Sequence, residues 1–227
     1  MSPRFAVKSA LLIFSAYLVL GLLQAPSYLK IDPEATIWES ITSVVIFSGI
    51  ILPAAYWGAR IDPESLPILS GLLGREAPDR RRWWVSLSYG LALAAIAFLI
   101  NISLSLAFTE FWAAPTSQDY ILDFSILDKV AVALSSGIWE ETIFRFFLIS
   151  ALVPLIRSRI GSALVANSLF TVIHVVLQDP PYNLPALTVV FIIGLVYTKC
   201  FLDRGVGSAA TCHAGMNLLS MVLGPGM

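Results

Sequence analysis

The stretch ILDKVAVALSSGIWEETIFRFFLISALVPLI, residues Ile126–Ile156, decides the fold. At 1.5 Å rise per residue, a helix of this length outspans the ~30 Å hydrocarbon core of a bilayer. It is apolar almost throughout, yet it carries Glu140, Glu141 and Arg145 near its middle. A charged side chain at membrane depth costs at least ~2.5–3.5 kcal/mol on insertion scales, so such residues are functional-site candidates by default. The chain has only two histidines, His174 and His213, and both fall in further apolar stretches of helical length. A catalytic site inside a membrane bundle is therefore the first hypothesis.

The rest of the chain repeats the apolar pattern. Its 227 residues are 57% hydrophobic and only 13% charged, against about 25% charged in a soluble domain. Mean hydropathy is +0.81. These values predict an all-α, polytopic membrane helix bundle forming a single integral membrane domain over residues 1–227. Seven spans are expected: Phe5–Leu23, Ile37–Ala59, Trp84–Ala107, Ile126–Ile156, Ser162–Leu177, Leu184–Leu202 and Val206–Leu223. An eighth arises only if Leu66–Leu73 inserts. That stretch is short and flanked by Pro and Arg, so an interfacial helix or loop is expected there. Met1–Gln24 has Arg4 and Lys8 before a long apolar run and no clear small-residue cleavage site, so it reads as a first span. The net charge of −1 gives no sign of a nucleic-acid partner, and none is expected. Cys200 and Cys212 make no disulfide framework and read as small apolar residues.

Basic residues predict the orientation. With the N-terminus in the cytoplasm, Arg4, Lys8, Arg60, Arg75, Arg80, Arg81, Arg82, Arg157, Arg159, Lys199 and Arg204 all fall at cytoplasmic ends or loops. Lys30 and Lys129 lie on the far side, where the loops carry Asp32, Glu34, Glu110, Asp119, Asp123 and Asp179. Trp83, Trp84, Trp112 and Tyr182 stand near span ends, as interfacial aromatics should. Arg80–Arg82 with the two adjoining tryptophans reads as an orientation signal and anchor, with anionic lipid as a weaker alternative. Pro180 and Pro181 mark a tight far-side turn, and residues 224–227 a helix stop. The expected location is the cell inner or plasma membrane, with membrane lipid as a partner. The oligomeric state is left open.

On the fourth span Glu141 and Arg145 are i and i+4, acid before base, which is the favourable order for pairing. Glu140 lies ~100° around the helix and is the carboxylate left to face a cavity. A partly desolvated glutamate can serve as a general base near neutral pH. The bland alternative is one structural ion cluster. Phe170 and His174 share a helix face, as do His213 and Asn217. A lone histidine on an apolar helix is more often a satisfied core residue. Two of them on separate spans, with an amide one turn away, weigh against that reading. Ala214 and Gly215 would let a backbone or substrate approach closely. Glu140, His174, His213 and Asn217 thus offer a base, a second proton carrier and oxyanion donors, the parts that activate water against a peptide carbonyl. No serine or cysteine is placed as a nucleophile.

Glu140-Glu141-x-x-x-Arg145, Phe170-x-x-x-His174 and His213-x-x-x-Asn217 together resemble the three motifs of the CPBP family, which comprises CAAX prenyl proteases of the Rce1 type and bacteriocin-processing (Abi) proteins. The motif-bearing core runs over about residues 126–221, in the family's order. The resemblance implies a glutamate-dependent intramembrane endopeptidase that requires no metal or other cofactor. It implies that Glu140 and His174 activate the attacking water, that His213 and Asn217 stabilise the oxyanion, and that Glu141 and Arg145 support them. The implied substrate is a membrane-associated protein or peptide: CAAX-like, bacteriocin-leader-like or bearing a C-terminal sorting signal. Rce1-type members have eight spans, one more than the count here.

Two other functions compete. Two His and one Glu could hold zinc with an open position, but they come from three spans without a His-Glu-x-x-His helix, and Asn is a poor zinc ligand. A non-catalytic scaffold or immunity protein would keep a polar cluster for assembly, yet has no need of a water-activating set. One tension is geometric. Counted from the cytoplasmic span ends, Glu140 lies ~24 Å deep, His174 ~18 Å and His213 ~10 Å, whereas one site needs them together. A cavity open to the cytoplasm is expected.

Overall fold

The computed structural model describes residues 2–31, 36–73, 80–107, 124–176 and 184–223. Every described segment is built on helix: α1 (Pro3–Ile31), α2 (Ile37–Ile61), α3 (Pro67–Leu72), α4 (Arg80–Ala107), α5 (Ile126–Glu140), a π-helical segment (Glu141–Ile149), α6 (Ser150–Ile156), α7 (Arg159–Val176), α8 (Leu184–Arg204) and α9 (Val206–Leu223). Each of the seven expected spans falls on helix over its described residues. The chain is an all-α bundle of the membrane type. Four described helices are long and apolar enough to cross a membrane by length and composition: Pro3–Pro26, Ile37–Ile61, Arg80–Leu104 and Val206–Leu223. Leu66–Leu73 yields only the six-residue α3, about 9 Å of helix, too short to cross.

Local chemistry sets the boundaries. Thr36 caps α2 and Ser125 caps α5, each in a capping box with the residue three positions on, Glu39 and Asp128. Arg157 closes α6 in the left-handed conformation, φ 56°. The turn from α8 to α9 is made by Gly205 at φ +85°, and a Cβ there would run into the Ser65 carbonyl oxygen. Glycine is needed both for that dihedral and for that space.

The exposed surface is apolar, with Val19, Ile46, Leu99 and Val172 among many large hydrophobics pointing outward. Burial in a membrane accounts for this, since lipid is as apolar as the side chains facing it. Small residues instead line the helix contacts. Ala6, Ala10 and Ala25 of α1 are buried, and Gly21 meets Val44 of α2. α9 packs between α4 and α5 and also touches α8 and the π-helical segment. It approaches α4 closely at Gly90, where a Cβ would sit 2.6 Å from the Ser208 carbonyl oxygen, and α5 at Gly137, where a Cβ would sit 2.7 Å from the Ala210 carbonyl oxygen. The Gly137 contact draws the helix bearing His213 and Asn217 onto the helix that ends at Glu140.

Regular α-geometry was expected through Ile126–Ile156, and the structure departs from it. From Glu141 to Ile149 the backbone bonds in the π register, and Glu141, Thr142, Phe144, Arg145, Phe146 and Ile149 are all buried. Such insertions widen the turn and occur frequently at functional sites. The π segment touches α2, α7, α8 and α9, so it presents side chains to neighbours around most of its circumference.

Several sequence expectations lie outside the described residues: those on Asp32, Glu34, Arg75, Glu110, Trp112, Asp119, Asp123, Asp179, Pro180, Pro181, Tyr182 and residues 224–227, together with the end of the fifth span at Leu177.

Candidate active site

Glu140, Glu141, Arg145, His174 and His213 converge in one cluster. Glu141 and Arg145 are its floor. Both side chains are 0% exposed, and Arg145 Nη1 donates to Glu141 Oε1 at 3.0 Å. Two buried charges are tolerable only when paired and when their remaining hydrogen-bonding capacity is also used. Arg145 meets much of that demand through its two terminal nitrogens, while its Nε and Glu141 Oε2 have no hydrogen-bond partner among the described residues. Its Nη2 donates to Asn167 Oδ1 and to the Gly194 carbonyl, each at 3.1 Å. Asn167 in turn donates from Nδ2 to the Phe191 carbonyl at 3.0 Å. The guanidinium also lies over the Phe170 ring, 4.1 Å from its centroid, a favourable cation–π contact.

Gly194 is there for room. A Cβ at this position would overlap Asn167 Oδ1 and come within 3.1 Å of Arg145 Nη2. The absent side chain exposes the α8 carbonyl to the guanidinium.

His213 is fixed from two sides. Its Nδ1 lies 2.9 Å from Glu141 Oε1. That oxygen also accepts from Arg145, so it belongs to a carboxylate and the imidazole is the donor. Tyr197 of α8 stacks on the ring, with centroids 4.4 Å apart and planes 14° apart. With Nδ1 committed, Nε2 turns toward Glu140, 3.9 Å from Oε2.

His174 has the same arrangement by other means. Its Nδ1 lies 2.8 Å from the Phe170 carbonyl oxygen, which can only accept, so Nδ1 carries a proton and Nε2 is presented outward. That Nε2 lies 3.7 Å from Glu140 Oε2. Phe170 lies beneath both histidines, its centroid 4.5 Å from His174 and 6.3 Å from His213.

Glu140 thus faces two imidazole nitrogens and not the arginine. Its Oε2 is buried and has no hydrogen-bond partner among the described residues. Side-chain exposure rises from 5% at His213 through 16% at Glu140 to 34% at His174, so the cluster opens on the His174 side. Asn217 stands one helical turn beyond His213 and donates from Nδ2 to Ser136 Oγ at 2.9 Å. Ser136 is itself one turn before Glu140 on α5.

The unequal depths counted from span ends do not keep these groups apart. The Gly205 turn is buried beneath Ser65 and Pro67, so α9 starts inside the bundle. The α6–α7 connection is exposed from Leu155 to Ile160. Among the described residues no group of three or more His, Cys, Asp or Glu is spaced to hold a metal ion. Cys200 and Cys212 are free and buried.

Apolar helices around an enclosed Glu/His cluster define a class: helical integral membrane proteins with an ionisable site in the bundle. Residues 123–219 match the family model described as type II CAAX prenyl endopeptidase Rce1-like. The resemblance carried by the three motifs is therefore upheld over the helices that build this cluster. No curated protein matches the chain, and no solved structure matches it.

Proposed function

We propose that this chain is a glutamic-type intramembrane endopeptidase that cleaves a CAAX-type C-terminal tail from a membrane-associated protein or peptide. The observation that carries the reading is the position of Glu140 Oε2, without a hydrogen-bond partner among the described residues and 3.7 and 3.9 Å from two imidazole Nε2 atoms. These separations are too long for direct hydrogen bonds and fit one water within ~2.8 Å of each group.

In the proposed reaction Glu140 takes a proton from that water while His174 Nε2 holds it. The water oxygen bonds to the scissile carbonyl carbon, and the carbonyl oxygen becomes an oxyanion. His213 Nε2 and the Asn217 amide face this oxyanion and donate to it. For Nε2 to donate while Nδ1 donates to Glu141, the His213 ring carries both protons, with two carboxylates beside it to balance the charge. When the tetrahedral intermediate collapses, the C–N bond breaks and Glu140 returns its proton to the leaving amine. Glu141 and Arg145 hold His213 and keep the buried charge balanced. Glu140 and His174 supply base catalysis, typically 10²–10⁴-fold in rate as an order of magnitude.

The match to the Rce1-like family supports a CAAX-type tail over a bacteriocin leader or another sorting signal. Arg4, Lys8, Arg60, Arg157 and Arg159 on one side support a cytoplasmic N-terminus and a site that opens to the cytoplasm. Comparative peptidomics of membrane fractions from cells carrying wild type or Glu140→Gln tests the reading. A membrane protein that keeps its C-terminal tail only in the variant supports it. Identical C-termini in both would overturn it.

A further inference from the structure

The Asn217 amide has one hydrogen-bond partner that the mechanism does not use. Its Nδ2 donates to Ser136 Oγ at 2.9 Å, across 81 residues of sequence and from α9 to α5. Ser136 is not a passive acceptor. Its own hydroxyl donates to the Ala133 carbonyl at 3.1 Å. A serine hydroxyl has one proton and two lone pairs. With the proton spent on its own helix, Ser136 can only accept from Asn217.

That polarity favours one orientation of the amide. Flipping it would present Oδ1 instead, and Ser136 could meet that oxygen only by withdrawing its proton from the Ala133 carbonyl. One N–H of Asn217 is thus tied to Ser136, and the second stays on the same nitrogen in a set direction. The Gly137 contact with Ala210 and Ala214 brings α5 and α9 near enough for this bond. Ser136 is also i−4 to Glu140, so one face of one helix turn carries both the base and the anchor of the oxyanion donor.

We infer that Ser136 is a positioning residue for the peptidase reaction: it orients the Asn217 amide so that its free N–H points at the developing oxyanion. The inference rests on the peptidase reading above. Ser136 does not touch the reacting atoms, so its loss should act through Asn217 alone.

The test uses the full chain in detergent micelles and an internally quenched peptide ending in a farnesylated CAAX sequence. Ser136→Ala is expected to lower kcat about tenfold with KM unchanged, the scale of one hydrogen bond. Ser136→Thr, which keeps the hydroxyl, restores most of the rate. Asn217→Ala loses roughly 10²–10³-fold, as for an oxyanion donor, and adding Ser136→Ala to it costs nothing further. An unchanged kcat in Ser136→Ala, or the same tenfold loss in the Asn217→Ala background, overturns the inference.

A second readout is independent of turnover. The Asn217 side-chain amide resonance, identified by its absence in Asn217→Ala, should shift in Ser136→Ala and stay near its wild-type position in Ser136→Thr. A resonance unmoved by Ser136→Ala overturns the inference even if the kinetics change. If wild type leaves the peptide intact, the peptidase assignment fails, and the resonance still decides whether Ser136 orients Asn217.

Discussion

Glu141 Oε1 accepts a hydrogen bond from His213 Nδ1 at 2.9 Å, although the two residues are 72 positions apart. The same oxygen accepts from Arg145 at 3.0 Å. One carboxylate oxygen therefore joins the π-helical segment to α9. It turns the imidazole so that Nε2 faces Glu140. The adjacent glutamates differ in their surroundings: Glu141 is fully buried and bonded through Oε1 to Arg145 and His213, whereas Glu140 is partly open and its Oε2 faces only the two imidazoles.

This difference predicts opposite costs for two similar substitutions. Glu141→Gln removes the charge opposite a fully buried guanidinium, a loss of about 3–5 kcal/mol for a broken buried pair. Glu140→Gln removes a carboxylate with no hydrogen-bond partner among the described residues and should leave stability nearly unchanged. Thermal unfolding in detergent should show a clear drop for Glu141→Gln and little for Glu140→Gln. Equal drops would mean that the two carboxylates are equivalent parts of one ion cluster.

Gly194 is expected to be among the least tolerant positions on α8. A methyl group there meets Asn167 Oδ1 and Arg145 Nη2, so Gly194→Ala must displace the clamp on Arg145. Overpacking of this kind costs about 1–3 kcal/mol. Asn167→Ala leaves Arg145 short of an acceptor, with a penalty of about 1–3 kcal/mol. Because both act on one clamp, the double variant should lose less than the sum of the singles. Strict additivity in unfolding measurements would contradict the shared clamp.

Chelation separates the metal-free reaction from a zinc one. Four tetrahedral ligands at 2.0–2.1 Å have edges of about 3.4 Å, and Glu140 Oε2 lies 3.7 and 3.9 Å from the two imidazoles. Peptide cleavage should persist in EDTA and in 1,10-phenanthroline. Loss of activity that zinc restores would contradict the proposed chemistry.

Much of the site was legible because its residues are costly where they stand. Glu140, Glu141, Arg145, His174 and His213 are ionisable groups in apolar runs, where each carries a cost that makes it a functional-site candidate by default. Helical spacing then brought in Asn217. Asn167, Ser136 and Gly194 escaped because neutral side chains, or none, raise no such alarm. A signal did exist for two of them. Asn167 precedes His174 by seven residues on the same helical face, and Ser136 precedes Glu140 by four. Gly194 had no such signal, since its use depends on what lies opposite. The π register was not legible either, because the residue pattern of Glu141–Ile149 fits an α-helix until neighbours on several sides are known. The bundle class followed from composition. The burial of the α8–α9 turn did not, since it depends on Gly205 packing beneath Ser65.

The central claim is that Glu140 takes the proton from the attacking water. Its most direct test is kcat of purified Glu140→Gln on the quenched, farnesylated CAAX peptide, with unfolding temperature measured on the same sample. A fall of about 10²–10⁴-fold at unchanged stability is the predicted result. A kcat within a few-fold of wild type would contradict it.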